Sequence, residues 1–565
     1  MRKVLLVAFA VMVAAALALP ASAGPSGQAR TSAQAGPSGQ LQSGDGEYVV
    51  AYADGASAAA ARAAVKAAGG RIVKENSRVG VATVKSSNPA FIAAASRQSA
   101  LVGAARNRPL GKAPAGGAGK DSLERLTAAE RAAVKRSAGG AVRRIPNQEP
   151  FADKQWDMRM IDATPSGSYR VNQGRRGVLV GIIDTGIDGT HPDIRPNFNR
   201  RLSRNFTTDI PLVDGPCEHP SCVDRANEDD NGHGTHVAGL VGAALNGLGT
   251  AGVAPRVTLV NVRAGQDSGF FFLQPTVDAL VYAGLVGIDV VNMSYFTDPW
   301  LYNCLDNPAD SPEAQAEQRT IRVATQRAVN FARAHGVTTI AALGNQHTDL
   351  GNPTFDDISP DFPPGAAYPR NVDNSCITVP TETRGVISIS ALGPSGYKAD
   401  YSNYGIEQTD FSAPGGWFRD FFGLPQNRQP ENLNLSPMPE DLALEALQDP
   451  ANVPFILRDC RGGTCAYYQY LQGTSMAAPH ASGVAALIVS TYGRRDGRHG
   501  GLTLGPRAVE RIMTRTAKQT PCPSPPNFAY PDDRPPSFDG VCVGTLARNG
   551  IYGRGIVNAL SAVVR

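Results

Sequence analysis

GVLVGIID, residues 177–184, decides the fold. Its apolar and small residues run without a polar break until Asp184. A run that is apolar at both parities fits a strand buried on both faces, as in a parallel sheet covered by helices. VTLVNVR (257–263), IDVVNMS (288–294), VTTIAALGN (337–345) and GVISISA (385–391) repeat the theme. Helix-like stretches lie between them, at His236 to Ala244, Thr276 to Ala283 and Thr320 to His335. This alternation predicts an α/β fold of three layers, α/β/α, around a mostly parallel sheet. Ligands of such sheets bind beyond the carboxyl ends of the strands, and Asp184 and Asn345 both fall there.

Two further segments supply the partners a carboxylate at that edge would need. His233 lies in NGHGTHVAG (231–239) and Ser475 in QGTSMAAPH (472–480). A serine hydroxyl is a poor nucleophile; it needs a base within reach, and the base needs an orienting group. Ser475 would be the nucleophile, His233 the general base and then acid, and Asp184 the group that holds the imidazole. Ser475 opens a helix-like run, Met476 to Ser490, with Pro479 near its start, where a missing N–H is tolerated. A helix start there would aim free N–H groups at developing negative charge. Asn345, after Leu343 and Gly344, could add its amide to the backbone N–H of Ser475 as an oxyanion donor. Taken singly, each segment has a plainer reading. G-T-S is an ordinary helix cap, and Asp184 or Asn345 could each serve a turn. Asp188, the nearest competitor to Asp184, lies beyond the turn. His233 and His236 invite a zinc reading, but HGTH lacks the glutamate and the spacing of H-E-x-x-H. A metal site using Cys217, His219 and Cys222 competes with a disulfide.

Together the segments resemble the subtilisin family in order, spacing and flanks. THPD (190–193), GTAGVAP (249–255), YSNYG (401–405), SAPG (412–415) and YGRGIVNA (552–559) extend the resemblance over residues 150–565. It implies a serine endopeptidase that hydrolyses protein or peptide substrates through an acyl-enzyme, acts as a monomer and requires no cofactor for its chemistry. It also implies substrate contacts from Gly344 and from two groove walls. One wall reads Ser294-Tyr295-Phe296 where the family carries Ser-Leu-Gly. The other reads Ser268-Gly269-Phe270-Phe271-Phe272 where small residues are usual. These aromatic walls either narrow the groove to a restricted set of peptides or pack into an inserted loop. Two insertions are expected, 297–317 and 416–472. The family's calcium position corresponds to Asp193 and the loop Asn246 to Thr250. That loop has few oxygen side chains, so backbone carbonyls would supply much of the ligation.

The N-terminus reads as an export signal over residues 1–23: Arg2 and Lys3, an apolar run from Val4 to Leu19, then Ala21-Ser22-Ala23. A secreted, extracellular product follows, with no membrane attachment after cleavage. Residues 24–46 read as a flexible linker. Residues 47–110 give strand and helix signals in the order β-α-β-β-α-β, the ferredoxin-like pattern. Its place before a protease-like body resembles the inhibitory propeptide of subtilisins, an intramolecular inhibitor. Residues 111–149 form a second linker holding the maturation site, and the peptidase domain spans 150–565. Eight cysteines in an exported chain suggest disulfides. Neighbouring pairs suggest Cys217–Cys222, Cys460–Cys465 and Cys522–Cys542, which would leave Cys304 with Cys376, one of about 105 connectivities that eight cysteines allow. The formal charge of +4 is small and the basic residues are dispersed, so nucleic-acid binding gains no support. Two other functional classes fit the sequence less well. A peptide-binding protein on a protease scaffold would lack a triad member, and none is missing. An esterase of the α/β-hydrolase kind would carry G-x-S-x-G and the order Ser, Asp, His, and neither is present.

Overall fold

The computed structural model describes residues 46–108, 126, 131, 148–530 and 534–564. The expected signal peptide, the linker up to residue 45 and nearly all of the second linker, with the maturation site, lie outside the described residues. The first unit consists of β1 (Gly46–Tyr52), α1 (Ala58–Ala67), β2 (Arg71–Asn76), β3 (Val81–Ser86), α2 (Phe91–Ser96) and β4 (Leu101–Arg108). Its antiparallel sheet has the order β2-β3-β1-β4. Ser57 caps α1 by accepting from the Ala60 N–H at 3.1 Å.

The body is built on seven strands. They are β5 (Leu179–Ile183), β6 (Arg204–Asn205), β7 (Thr258–Arg263), β8 (Val290–Met293), β9 (Thr338–Ala342), β10 (Ile387–Leu392) and β11 (Phe411–Pro414). They form one sheet in the order β11-β10-β9-β8-β5-β7-β6, and each pairing is parallel. Successive side chains divide between two cores, as the period of two requires. Val180, Ile182, Leu259, Val290, Ile340 and Ile389 pack on one side, against α3 (His233–Gly242) and α7 (Thr474–Tyr492). Ile183, Val260, Val262, Val291 and Ala341 pack on the other, against α4 (Leu273–Val286) and α5 (Pro312–Ala334). The three-layer α/β/α architecture is the one expected.

Three differences from the sequence reading bear on the site. α3 starts at His233 rather than His236, because the Asp229 carboxylate accepts from the Thr235 N–H at 2.8 Å and the Gly232 N–H at 3.0 Å and so caps the helix early. α5 starts at Pro312, eight residues early, with Ser311 as its cap and proline in the first turn, so part of the 297–317 segment is helical. The 416–472 segment is largely ordered secondary structure. It contains β12 (Asn434–Met438), α6 (Glu440–Ala446), β13 (Ile456–Arg461) and β14 (Thr464–Leu471), with an antiparallel sheet order of β12-β14-β13. Its Trp417 and Phe418 are buried. The four disulfides are those named from the sequence.

Candidate active site

Four chain segments converge at the carboxyl edge of the sheet. Asp184 follows the last residue of β5 and is fully buried. Its Oδ1 accepts from the Thr185 N–H at 2.8 Å and from His233 Nδ1 at 2.6 Å. Burial pushes the Asp184 carboxyl up, opposed by the histidine beside it and by the Thr185 N–H. His233 occupies the first position of α3. A Cβ on the next residue, Gly234, would collide with the Gly186 carbonyl, so only glycine lets the helix start this close to the Asp184 turn.

Asp229 and Thr185 hold this corner, and the sequence reading did not single them out. Asp229 accepts from the hydroxyls of Thr185 at 2.9 Å and Thr235 at 2.6 Å, besides its two backbone donors. The Thr185 hydroxyl in turn accepts from the Gly234 N–H at 3.0 Å. The available signal was an aspartate a few residues before an apolar helix, the position of a cap.

Ser475 is the second residue of α7 and is buried. Its hydroxyl donates to the Ser294 carbonyl at 3.3 Å, while the Ser294 hydroxyl donates to the Ser475 carbonyl at 2.9 Å. Asn292 donates to the Ser294 hydroxyl at 2.9 Å and accepts from Ser482 at 2.9 Å. This buried chain ties the end of β8 to the start of α7. Asn345 lies three residues beyond β9. Its Oδ1 accepts from the Thr474 N–H at 2.9 Å and the Thr474 hydroxyl at 2.8 Å. A backbone N–H can only donate, so the amide oxygen is the atom that faces the helix start. Gly344, at φ +106°, makes the turn that brings Asn345 there.

His233, Ser475, Asn345, Gly344, Gly269 and Ser294 line one pocket of about 100 Å³. Phe271, Tyr295, Phe296, Leu301, Ala342 and Leu343 supply its apolar lining. Phe271 stacks on Tyr295 at 4.0 Å between centroids, so the two expected walls meet through their rings. Phe270 turns away from this pair and packs edge-on against Phe362 at 5.2 Å, as Phe272 does at 5.4 Å. His236 faces the backbone carbonyls of Asn434 and Gln469, at 3.2 and 3.1 Å, and so anchors β12 and β14. Asp193 is buried and accepts from the Tyr468 hydroxyl at 2.7 Å, the Asn246 amide at 3.0 Å and the Thr250 N–H at 3.2 Å.

The family model described as Subtilase family matches residues 175–535. The chain belongs to the subtilase family. This subtilase is a serine endopeptidase. It is 29% identical to Subtilisin DY of Bacillus licheniformis over 322 residues, 57% of this chain and 80% of that protein. It is 25% identical to Thermitase of Thermoactinomyces vulgaris over 346 residues, 61% of this chain and 85% of that protein. The nisin leader peptide-processing serine protease NisP of Lactococcus lactis subsp. lactis is 27% identical over 356 residues, 62% of this chain and 46% of that protein. The structure of the epidermin leader peptide processing serine protease EpiP from Staphylococcus aureus covers 92% of this chain and 98% of its own, at TM-score 0.59 and 21% identity. Among the described residues of this subtilase, no helix is long and apolar enough to cross a membrane.

Proposed function

We propose that this subtilase is made as an exported zymogen and cleaves peptide bonds through Ser475, His233 and Asp184. The observation that carries the reading is the 2.6 Å contact of His233 Nδ1 with a fully buried Asp184, in one pocket with Ser475 and Asn345. Bonding at Nδ1 fixes the tautomer and leaves Nε2 to take the Ser475 proton as the hydroxyl attacks the scissile carbonyl. The imidazolium that forms is stabilised by Asp184, and it returns the proton to the leaving amine. The tetrahedral oxyanion is received by the Asn345 amide and the Ser475 N–H at the start of α7. Water then repeats the cycle on the acyl-enzyme. No cofactor enters these steps.

The small apolar pocket and the ring-closed walls favour a restricted set of peptides, with a compact aliphatic side chain before the scissile bond. An engineered cavity of ~150 Å³ accepts benzene, so one of about 100 Å³ admits something smaller.

Residues 47–110 act in this reading as the intramolecular inhibitor. One face of their sheet packs on α4 and α5: Val49, Val81 and Ala105 share a core with Val277, Leu280 and Ile321. Polar ties frame that core. Lys74 pairs with Asp278 at 2.7 Å, and the Arg106 N–H donates to buried Glu317 at 2.8 Å. Beside Arg108, the end of β4, Asn107 accepts from the Gln274 N–H at 3.3 Å, two residues past the Phe270–Phe272 wall. N-terminal sequencing of the secreted protein tests the reading. The wild type should begin within residues 106–147, and Ser475→Ala should keep residues 47–110 attached. A Ser475→Ala chain that matures normally on its own would overturn self-processing.

A further inference from the structure

Two residues from between the first unit and the body are held by the 416–472 segment. Leu126 is 6% exposed and shares a buried core with Phe151 and Leu248 of the body and with Phe418, Leu433 and Phe455 of that segment. Phe151 fixes the chain in the same core further on. Its ring meets Tyr468 edge-on at 5.4 Å, and its N–H donates to the Gly249 carbonyl at 2.8 Å. Five residues beyond Leu126, the Arg131 guanidinium donates to the Asn452 amide oxygen. That acceptor is set in advance. The Asn452 amide nitrogen donates at 2.8 Å to the carbonyl of Ala446, the last residue of α6, so the oxygen is the atom that meets Arg131. Glu445 and Asp449 line the same pocket of about 460 Å³ as Asn452 and add negative charge beside it. Asn231 and Ser268 line it too. They adjoin His233 and Gly269 in the chain, which line the catalytic pocket, so this contact borders the substrate groove.

Residues 46–108 pack elsewhere. Val49, Val81 and Ala105 share a core with α4 and α5, and among the described residues none of 46–108 joins the core of Leu126. A cut between Arg108 and Leu126 therefore separates two cores and breaks neither. A cut beyond Arg131 would carry Leu126 away with the first unit and open its core to water, which the burial of apolar surface opposes. We propose, resting on the zymogen reading above, that the mature enzyme begins upstream of Leu126 and keeps this N-terminal segment clipped to the 416–472 insertion by Leu126 and Arg131. Maturation then hydrolyses a peptide bond between Arg108 and Leu126. Water is consumed, the C–N bond breaks, the new carboxylate ends the inhibitor and the new amine heads the mature chain. The insertion, in this account, is the seat of the enzyme's own N-terminal segment beside the groove.

N-terminal sequencing and intact mass of the mature wild type test this. The first residue is expected between Pro109 and Leu126, with Leu126 and Arg131 retained. A chain that begins at Thr127 or later would overturn the clip and leave the zymogen reading standing. A secreted chain that is never cut would overturn that reading as well. Brief trypsin treatment of the mature protein reads the contact itself, as the rate of cleavage between Arg131 and Ala132. Leu126→Asp should speed that cleavage roughly tenfold or more and lower Tm by roughly 2–5 °C. Asn452→Ala, which removes the acceptor and leaves the apolar contact in place, should speed it several-fold. Cleavage rates and Tm equal to the wild type in both variants would overturn the proposal.

Discussion

Asp229→Ala should damage both stability and turnover. The carboxylate is buried and serves four donors: the Thr185 and Thr235 hydroxyls and the Gly232 and Thr235 N–H groups. Hydroxyls can rotate to new partners, but the two backbone N–H groups cannot. Each buried donor left unsatisfied costs about 1–3 kcal/mol, so about 2–6 kcal/mol of unfolding free energy should be lost. Water entering the vacated space brings the loss toward the lower end. The effect on catalysis runs through Thr185, which the aspartate orients and which accepts from the Gly234 N–H at 3.0 Å, next to His233. A displacement of His233 by ~1 Å can cost ~10²-fold, so kcat should fall roughly 10–100-fold with KM little changed. Denaturant unfolding of Ser475→Ala with and without Asp229→Ala gives the first number, and steady-state peptide hydrolysis gives the second. Losses within about 0.5 kcal/mol and an unchanged kcat would refute the view that this carboxylate holds the histidine corner.

Other expectations follow from the same geometry. Leu301→Ala should enlarge the apolar pocket and raise kcat/KM for phenylalanine before the scissile bond about tenfold relative to valine, as read in a peptide library. Burial pushes Asp193 up from 3.8 to about 8, against the Tyr468, Asn246 and Thr250 donors, and Glu149 adds repulsion. The native state then holds a proton that the unfolded chain has lost between those two values. Unfolding free energy should therefore fall from about pH 4 to pH 8, by up to about 1.4 kcal/mol per unit. Asp193→Asn should flatten that slope in urea titrations run at several pH values. Ser482→Ala breaks the buried chain through Asn292 and Ser294 and should lower kcat more than it raises KM.

Much of the sheet could be read from the sequence, because strands buried on both faces leave continuous apolar runs such as LVGII at 179–183. The four segments of the candidate site were legible for a related reason: each follows a strand or opens a helix, so its local sequence is constrained. What escaped were contacts between residues far apart in the chain. The 416–472 segment reads from sequence only as an insertion, yet Asn434 pairs with Leu471 across it, and Pro437 sits within a strand. The β14 stretch, TCAYYQYL, owes its burial to that pairing and to His236. Asp229 was invisible as a support because its role depends on meeting Thr185 from another loop. Leu126 joins Phe151 and Leu433 only in space. The aromatic walls were visible, but which ring stacks on which was not: Phe271 faces Tyr295, whereas its neighbours turn to Phe362.

Covalent labelling tests the central claim most directly. The mature protein is treated with a serine-directed phosphonate and digested, and the adduct is located by mass spectrometry. The geometry predicts a single adduct on Ser475, lost in Ser475→Ala and slowed by orders of magnitude in His233→Ala and Asp184→Ala, in parallel with peptide hydrolysis. A properly matured protein that cleaves peptides without labelling at Ser475, or that labels equally fast without His233, would contradict it.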